Sequence, residues 1–315
     1  MDLSNKKLNR RQCLTLLAAA SAATLTPGFS RGENGRKILR VAVSTETLAG
    51  TNINDARAAY RVWINEISRL HGLATAEPVA DVFIPSAELI RDVRQGTIDF
   101  FGITALEYMK IIDLTDPDTL VLQDYVADGF EYVLLVHSSS PFKKIADLGG
   151  AQVVSHFHRD LVLLPAWLGT MLAAANLPPA EHFFGSLTSH DKLNQVLLPV
   201  FFRRLDGACV ARRNWETAVE LNPQLGRDLR PLAVSPKVVP ILVAFHRNSD
   251  ASGRKLAIDS MLHISTTIAG QQIAALYQSR AFVLRPTSVM KATLEMMREF
   301  ERLPAQQVHS RKGPS

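Results

Sequence analysis

Apolar and polar positions alternate along this chain in two different periods, and the two periods take turns. "KILRVAVST" (37–45) is a β-branched run of strand length, bounded by polar residues. "NDARAAYRVWINEISRLHG" (54–72) switches to apolar residues three and four apart, with Gly72 as a stop, and predicts an amphipathic helix. The same exchange repeats. "EPVADVFIP" predicts a strand, "SAELIRDVRQG" a helix capped by Ser86, "TIDFFGIT" a third strand and "ALEYMKII" a short helix. Strands that alternate with helices and read as continuous apolar runs predict a mainly parallel sheet, covered on both faces.

A second block follows. "EYVLLVHSSSPFKKIADLGGAQVVSHF" holds a strand, a Ser-rich turn with Pro141, a small helix and another strand. "DLVLLPAWLGTMLAAANLP" predicts a helix bent near Pro165, and "SHDKLNQVLLPVFFRRLDGACVA" a helix and a strand. Beyond the helix in "NWETAVELNPQLG", the stretch "LRPLAVSPKVVPILVAFHRN" predicts an extended segment, two prolines and a strand. Two helices, about Ser252–Tyr277 and Thr287–Leu303, complete the pattern, and residues 304–315 are expected to be a disordered tail. A strand near 132–137 leaves the first block and one near 239–245 returns to it. The expected lobes are residues 38–136 plus 240–300 and residues 140–236, with a ligand between them.

Composition changes this picture little, and charge changes it once. The 315 residues are 47% apolar and 21% charged, as expected of a chain with a large core. The net charge is +5, but residues 1–30 alone carry Lys6, Lys7, Arg10 and Arg11 against Asp2, so the rest is only +2. That excludes a basic footprint for nucleic acid. The first thirty residues read as an export signal: a positive start, then "CLTLLAAASAATL", too short to span a bilayer, then small residues Gly28 and Ser30. Paired Arg10 and Arg11 resemble a twin-arginine signal, although Asn9 and Cys13 depart from its usual pattern, and a general secretory signal is the alternative. Either predicts a periplasmic protein. Past the signal one cysteine remains, Cys209, in a run that reads as a buried strand.

Four motifs in order resemble one family. "LIRDVRQGTIDFFGITALEYM" is similar to its helix, Gly-x-x-Asp strand and following tyrosine, and "VLLVHSSSPFKKIADLGGAQVV" to its crossover strand and Ser-Pro turn. "GSLTSHDKLNQVLLPVFFRRLDGACV" is similar to its Gly-Ser-His-Asp helix start, and "VSPKVVPILVAFHRN" to its Ser-Pro-x-x-Pro return. The family is that of the periplasmic phosphate, phosphite and phosphonate-binding proteins of ABC transporters. The resemblance implies a type 2 periplasmic-binding fold: α/β, two-lobed, each lobe a mainly parallel sheet flanked by helices, joined by a two-segment hinge. It implies a monomeric, non-enzymatic protein without cofactor, which captures a small anionic or zwitterionic solute for a membrane permease. A ligand sensor serving a membrane kinase is the alternative. A metal-binding protein or an enzyme is a further one, against which no nucleophile–base pair or cofactor loop is present.

The resemblance also implies site residues. Tyr108 and His190 match its cleft tyrosine and ligand histidine, Ser189 precedes the latter as a helix cap, and Ser235 opens the Ser-Pro return. Thr45, Glu46 and Ser86 lie beyond strand ends, where open α/β sheets bind ligands. The departure is at His158, Arg159, Asp160 and Leu161, where phosphonate binders usually carry Ser-Thr-Ser-Gly. Arg159 either offers a two-donor fork to an oxyanion or points into solvent. Asp160 either contacts a ligand amine or caps the following helix through Val162 or Leu163. His156, His158 and His190 either line the hinge or form a three-nitrogen metal site. His158 and His190 also imply anion binding that strengthens as pH falls from 8 to 6.

Overall fold

A computed structural model describes residues 40–49, 51–71 and 82–304. The expected export signal, 1–30, and residues 305–315 of the expected tail lie outside the described residues. Among the described residues the strands are β1 (Val41–Ser44), β2 (Phe83–Ile84), β3 (Phe100–Thr104), β4 (Thr119–Gln123), β5 (Tyr132–His137), β6 (Gln152–His156), β7 (Ser186–His190), β8 (Gly207–Ala211), β9 (Leu229–Val234), β10 (Ile241–Phe245) and β11 (Phe282–Pro286). They form two sheets, ordered β11-β4-β10-β3-β1-β2 and β7-β6-β8-β5-β9. In the first, β1 pairs in parallel with β2 and β3, while β10 runs against β3 and β4, and β11 against β4. In the second, β6 is parallel to β7 and β8, and β5 runs against β8 and β9. The strands that run against their neighbours are thus the ones beside a crossing between sheets, together with β11.

Both faces of each sheet are covered, and successive strand residues feed different cores. Leu134 and Val136 of β5 face a core shared with the first sheet, which also holds Phe101, Ile103, Leu122 and Leu242. Val133 and Leu135 face away, into a second-lobe core with Val154, Val196 and Val210. The far face of the first sheet packs Val43, Phe100 and Phe245 against the helix Ile53–His71 through Ala56, Tyr60 and Trp63. This is why the strands read as unbroken apolar runs rather than alternating ones. Cys209 is fully buried in β8, and burial pushes its thiol up to about 12, which leaves it an inert small apolar residue.

Two segments cross between the sheets, residues 124–131 and 235–240, and they are hydrogen-bonded to each other. Phe130 and Val238 exchange both backbone bonds, at 3.0 and 2.9 Å. Gly129, at φ +71°, lets the segments approach: a Cβ there would lie 3.1 Å from that of Lys237. The first crossing corrects the expected boundary at 136. β5 completes both its ladders inside the second sheet, so its six residues belong to that lobe. The helix Lys291–Arg302 braces the hinge, because Thr293 Oγ1 accepts from Val239 N at 2.9 Å.

Other elements differ from expectation for local reasons. β4, β7 and β11 were not expected as strands. The expected helix 252–277 is two, Ala251–Leu262 and Ile268–Leu276, because Thr267 caps the second by accepting from Gly270 N. Pro165 does not bend a helix but starts one: Leu164–Ala174 carries it in the first turn, where no N–H is needed. Among the described residues no helix is long and apolar enough to cross a membrane.

Candidate functional site

β6 is buried from Val153 to His156, and the chain leaves its carboxyl end toward the first sheet. His158 is extended, Arg159–Leu161 make a 3-10 turn, and the helix begins only at Leu164. The turn carries Arg159 and Asp160 into the interior, each 1% exposed. Arg159 is anchored across the lobes. Its backbone N–H donates to Ala49 O at 3.3 Å, and Nη1 donates to Thr51 Oγ1 at 3.0 Å. Its guanidinium carbon lies 5.3 Å from the centre of the Tyr277 ring, and Tyr277 shares a 2.9 Å hydroxyl bond with Tyr60. Nε and Nη2 are buried without a hydrogen-bond partner, and among the described residues no carboxylate lies within ion-pair distance of this side chain.

Asp160 faces the other way. Tyr125 donates its hydroxyl to Oδ1 at 3.1 Å, and Tyr132 donates to the backbone oxygen at 2.6 Å. Oδ2 stands 3.9 Å from Arg213 Nη1, and both atoms are buried without a hydrogen bond. The Arg213 guanidinium carbon lies over the Tyr125 ring, 3.6 Å from its centre. Burial, and then the Asp160 charge, push the Tyr125 and Tyr132 hydroxyls up, so both stay donors. The expectation that Asp160 caps the following helix is corrected. That helix starts four residues later, and the cap of the turn is His158, whose Nδ1 accepts from Asp160 N at 3.3 Å.

Burial holds His156 and His158 toward the neutral form as packing groups. Burial lowers His158 to about 4, and the Asp160 charge 3.6 Å away opposes this without prevailing. His156 is lowered as well, first by burial, and its Nε2 bonds Asp191 O at 3.1 Å. The two rings stack, centres 5.3 Å apart. His190 lies exposed on the edge strand β7. Among the described residues no three His, Cys, Asp or Glu side chains are grouped to hold a metal ion, so the three-nitrogen site is not assembled. Since His158 stays neutral from pH 8 to 6, the expected strengthening of anion binding cannot come from it.

The remaining expected residues scatter. Thr45 and Glu46 lie in a 3-10 turn at the end of β1 that Ser44 caps, and Glu46 is exposed. It is Ala49 and Thr51, further along the same loop, that meet Arg159. Ser86 is the first residue of its helix rather than the cap, which is Pro85. Tyr108 is buried in the shared core, and burial raises its hydroxyl. Ser189 is not a helix cap but an exposed residue of β7. Ser235 works in the hinge: Oγ accepts from Tyr132 N at 2.8 Å and donates to Pro236 O at 2.7 Å. Thr51, Tyr125, Tyr132, Arg213 and Tyr277 were not expected at the site. Arg213 had a signal, since it follows β8 at a strand's carboxyl end. Tyr277, far along the chain, had none.

A family model described as ABC transporter, phosphonate, periplasmic substrate-binding protein matches residues 54–285. No curated protein sequence matches the chain. Among solved structures, the binding-protein component of a phosphonate ABC transporter from Pseudomonas aeruginosa is 14% identical, with a TM-score of 0.52, covering 86% of this chain and 92% of its own. PhnD1 from Prochlorococcus marinus, solved with methylphosphonate, is 15% identical, with a TM-score of 0.55, covering 84% and 98%. A Xanthomonas citri protein solved with ATP is 14% identical, with a TM-score of 0.58, covering 84% and 97%. At these identities the structures speak for the fold, which is two-lobed and of the type 2 periplasmic-binding class. The family match spans most of the chain, and the chain belongs to the periplasmic phosphonate substrate-binding proteins of ABC transporters.

Proposed function

We propose that this protein captures a small solute bearing one oxyanion group, singly charged or zwitterionic, at Arg159 and delivers it to an ABC-transporter permease. The family consists of transporter binding proteins, not enzymes. The observation that carries the choice of ligand is a buried guanidinium with an unused edge. Nε and Nη2, both unpartnered, share one edge of the planar guanidinium, along which one N–H of each runs parallel, as a two-oxygen anion requires. Nη1 is already spent on Thr51, so in the closed arrangement the fork is held in place across the lobes.

Charge counting supports a single negative charge. Arg159, Arg213 and Asp160 all act on His158 and Tyr125, and burial lowers the His156 and His158 imidazoles toward the neutral form. Two positive charges against one negative leave one to be matched. A dianion would add a charge near Asp160 that nothing in the cluster offsets. Asp160 Oδ2, a buried acceptor without a donor, suits a ligand ammonium or hydroxyl.

Calorimetry with methylphosphonate, 2-aminoethylphosphonate, methanesulfonate and acetate tests this against Arg159→Met. The best ligand should be a monoanion or zwitterion and should lose at least about a hundredfold in affinity, since charged hydrogen bonds contribute about 1.5–3 kcal/mol each. Equal affinity in the variant, or tightest binding by a dianion, would defeat the proposal. We also propose export through the twin-arginine route, on the paired Arg10 and Arg11.

A further inference from the structure

We infer that Arg159 is an electrostatic latch, which holds the lobes apart while the site is empty and holds them together once an anion is bound. The ligand-bound half of this inference rests on the proposed anion binding, and the ligand-free half stands alone. Arg159 belongs to the second lobe, in the turn after β6. Its partners Ala49, Thr51 and Tyr277 all belong to the first. In this closed arrangement the guanidinium is 1% exposed. One side-chain hydrogen bond and one ring face are what the described residues give it in return for its water. Two of its three nitrogens are left with nothing.

Burying a charge without a counter-ion costs far more than one hydrogen bond returns. The backbone bond to Ala49 and the apolar contact around it are too small to make up the difference. An empty protein therefore lowers its free energy by opening, which returns the guanidinium to water. An oxyanion seated on the Nε–Nη2 edge reverses the sign. It supplies the missing charge and the two missing acceptors, and it leaves Nη1 on Thr51, so the same side chain now bridges the lobes. The ligand shifts the equilibrium because it binds the closed state better than the open one, as any such shift requires. The consequence concerns charge and not contact: removing the charge while keeping the bulk should let the lobes close without any ligand.

Small-angle X-ray scattering on the exhaustively dialysed protein tests the ligand-free half. The wild type should have the larger radius of gyration, and Arg159→Met should be compact. Thr51→Val, which removes the first-lobe acceptor but keeps the charge, should stay expanded. Arg159→Gln is the second neutral variant and should also be compact, which covers a failure of the methionine variant to fold. Saturating methanesulfonate or methylphosphonate should compact the wild type. A compact ligand-free wild type, or neutral variants as expanded as the wild type, would overturn the latch. If the ligand-free variants separate as expected but neither anion compacts the wild type, the latch is supported and the proposed ligand class is what fails.

Discussion

His158 is buried between a stacked imidazole and a carboxylate, and its titration belongs to folding more than to binding. Its folded value is about 4, against an ordinary value of about 6.5. Between those two pH values the unfolded chain takes up a proton that the folded chain refuses. Stability is therefore full above about pH 6.5, falls as the pH is lowered toward 4, and loses nothing more from this group below that. The loss is on the order of 3 kcal/mol. Urea unfolding at pH 7.5, 5.5 and 4 should reveal it, and His158→Asn, which keeps an acceptor near the Nδ1 position, should flatten most of that slope. An unchanged slope would show that the titrating group lies elsewhere. The type of residue at 156–160 was plain in the chain, but its role was not. Two histidines side by side suggest a charge switch, and only their burial makes them neutral.

Between elements, the contact that ties the second lobe to the C-terminal brace depends on a missing side chain. Gly169 lies in the helix Leu164–Ala174, facing the helix Lys291–Arg302. A Cβ there would sit 2.4 Å from Cε2 of Phe300. Alanine is the better helix former by about 1 kcal/mol. Gly169→Ala should nevertheless destabilise the protein, by about 1–3 kcal/mol, because the ring must move out of a packed interface. Pairing it with Phe300→Leu should recover part of the loss, as measured by thermal or urea unfolding. If Gly169→Ala is stabilising alone, the interface yields more easily than the packing implies. Elements with strong periodicity, such as β1, β3, β5 and the helix from Ile53, were legible in the chain. β7 was not, because "SLTSH" carries one apolar residue on an exposed edge and becomes a strand only through its ladder with β6. β11 is likewise a strand because β4, some 160 residues earlier, pairs with it.

At the scale of the molecule, two sheets, two crossings and one helical brace define where a ligand can sit. The candidate site lies at the strand ends that face the other lobe, among residues about 49, 125, 159, 213 and 277. The proposed export to the periplasm depends on the first thirty residues. Replacing Arg10 and Arg11 together by lysine should abolish periplasmic accumulation if export uses the twin-arginine route, as followed by fractionation and blotting. Unchanged accumulation would leave a general secretory signal as the explanation. The two-block pattern and the return near residue 240 made the lobed fold readable from the chain. The boundary at the first crossing did not follow, because an apolar strand carries no mark of which sheet it will join.

What the chain determined by itself is set by local physics. Period-two and period-3.6 patterns and turn residues sufficed for the α/β class and the two lobes, and the resemblance of four short motifs in order pointed to the family. The same reading placed Arg159 and Asp160 at the point where this chain departs from its relatives. The tertiary structure decided the rest, because burial and partnership are properties of space and not of sequence. It spent Asp160 Oδ1 on Tyr125 and the Asp160 backbone oxygen on Tyr132, sank Tyr108 in the core, gave Ser235 to the hinge and left Ser189 and His190 on an exposed edge. It also brought Thr51 and Tyr277 to Arg159 from the other lobe. An arginine in a sequence is a charge with water around it. Here the fold removes the water and leaves two of its nitrogens unanswered, and that is the ground for proposing it as the binding group.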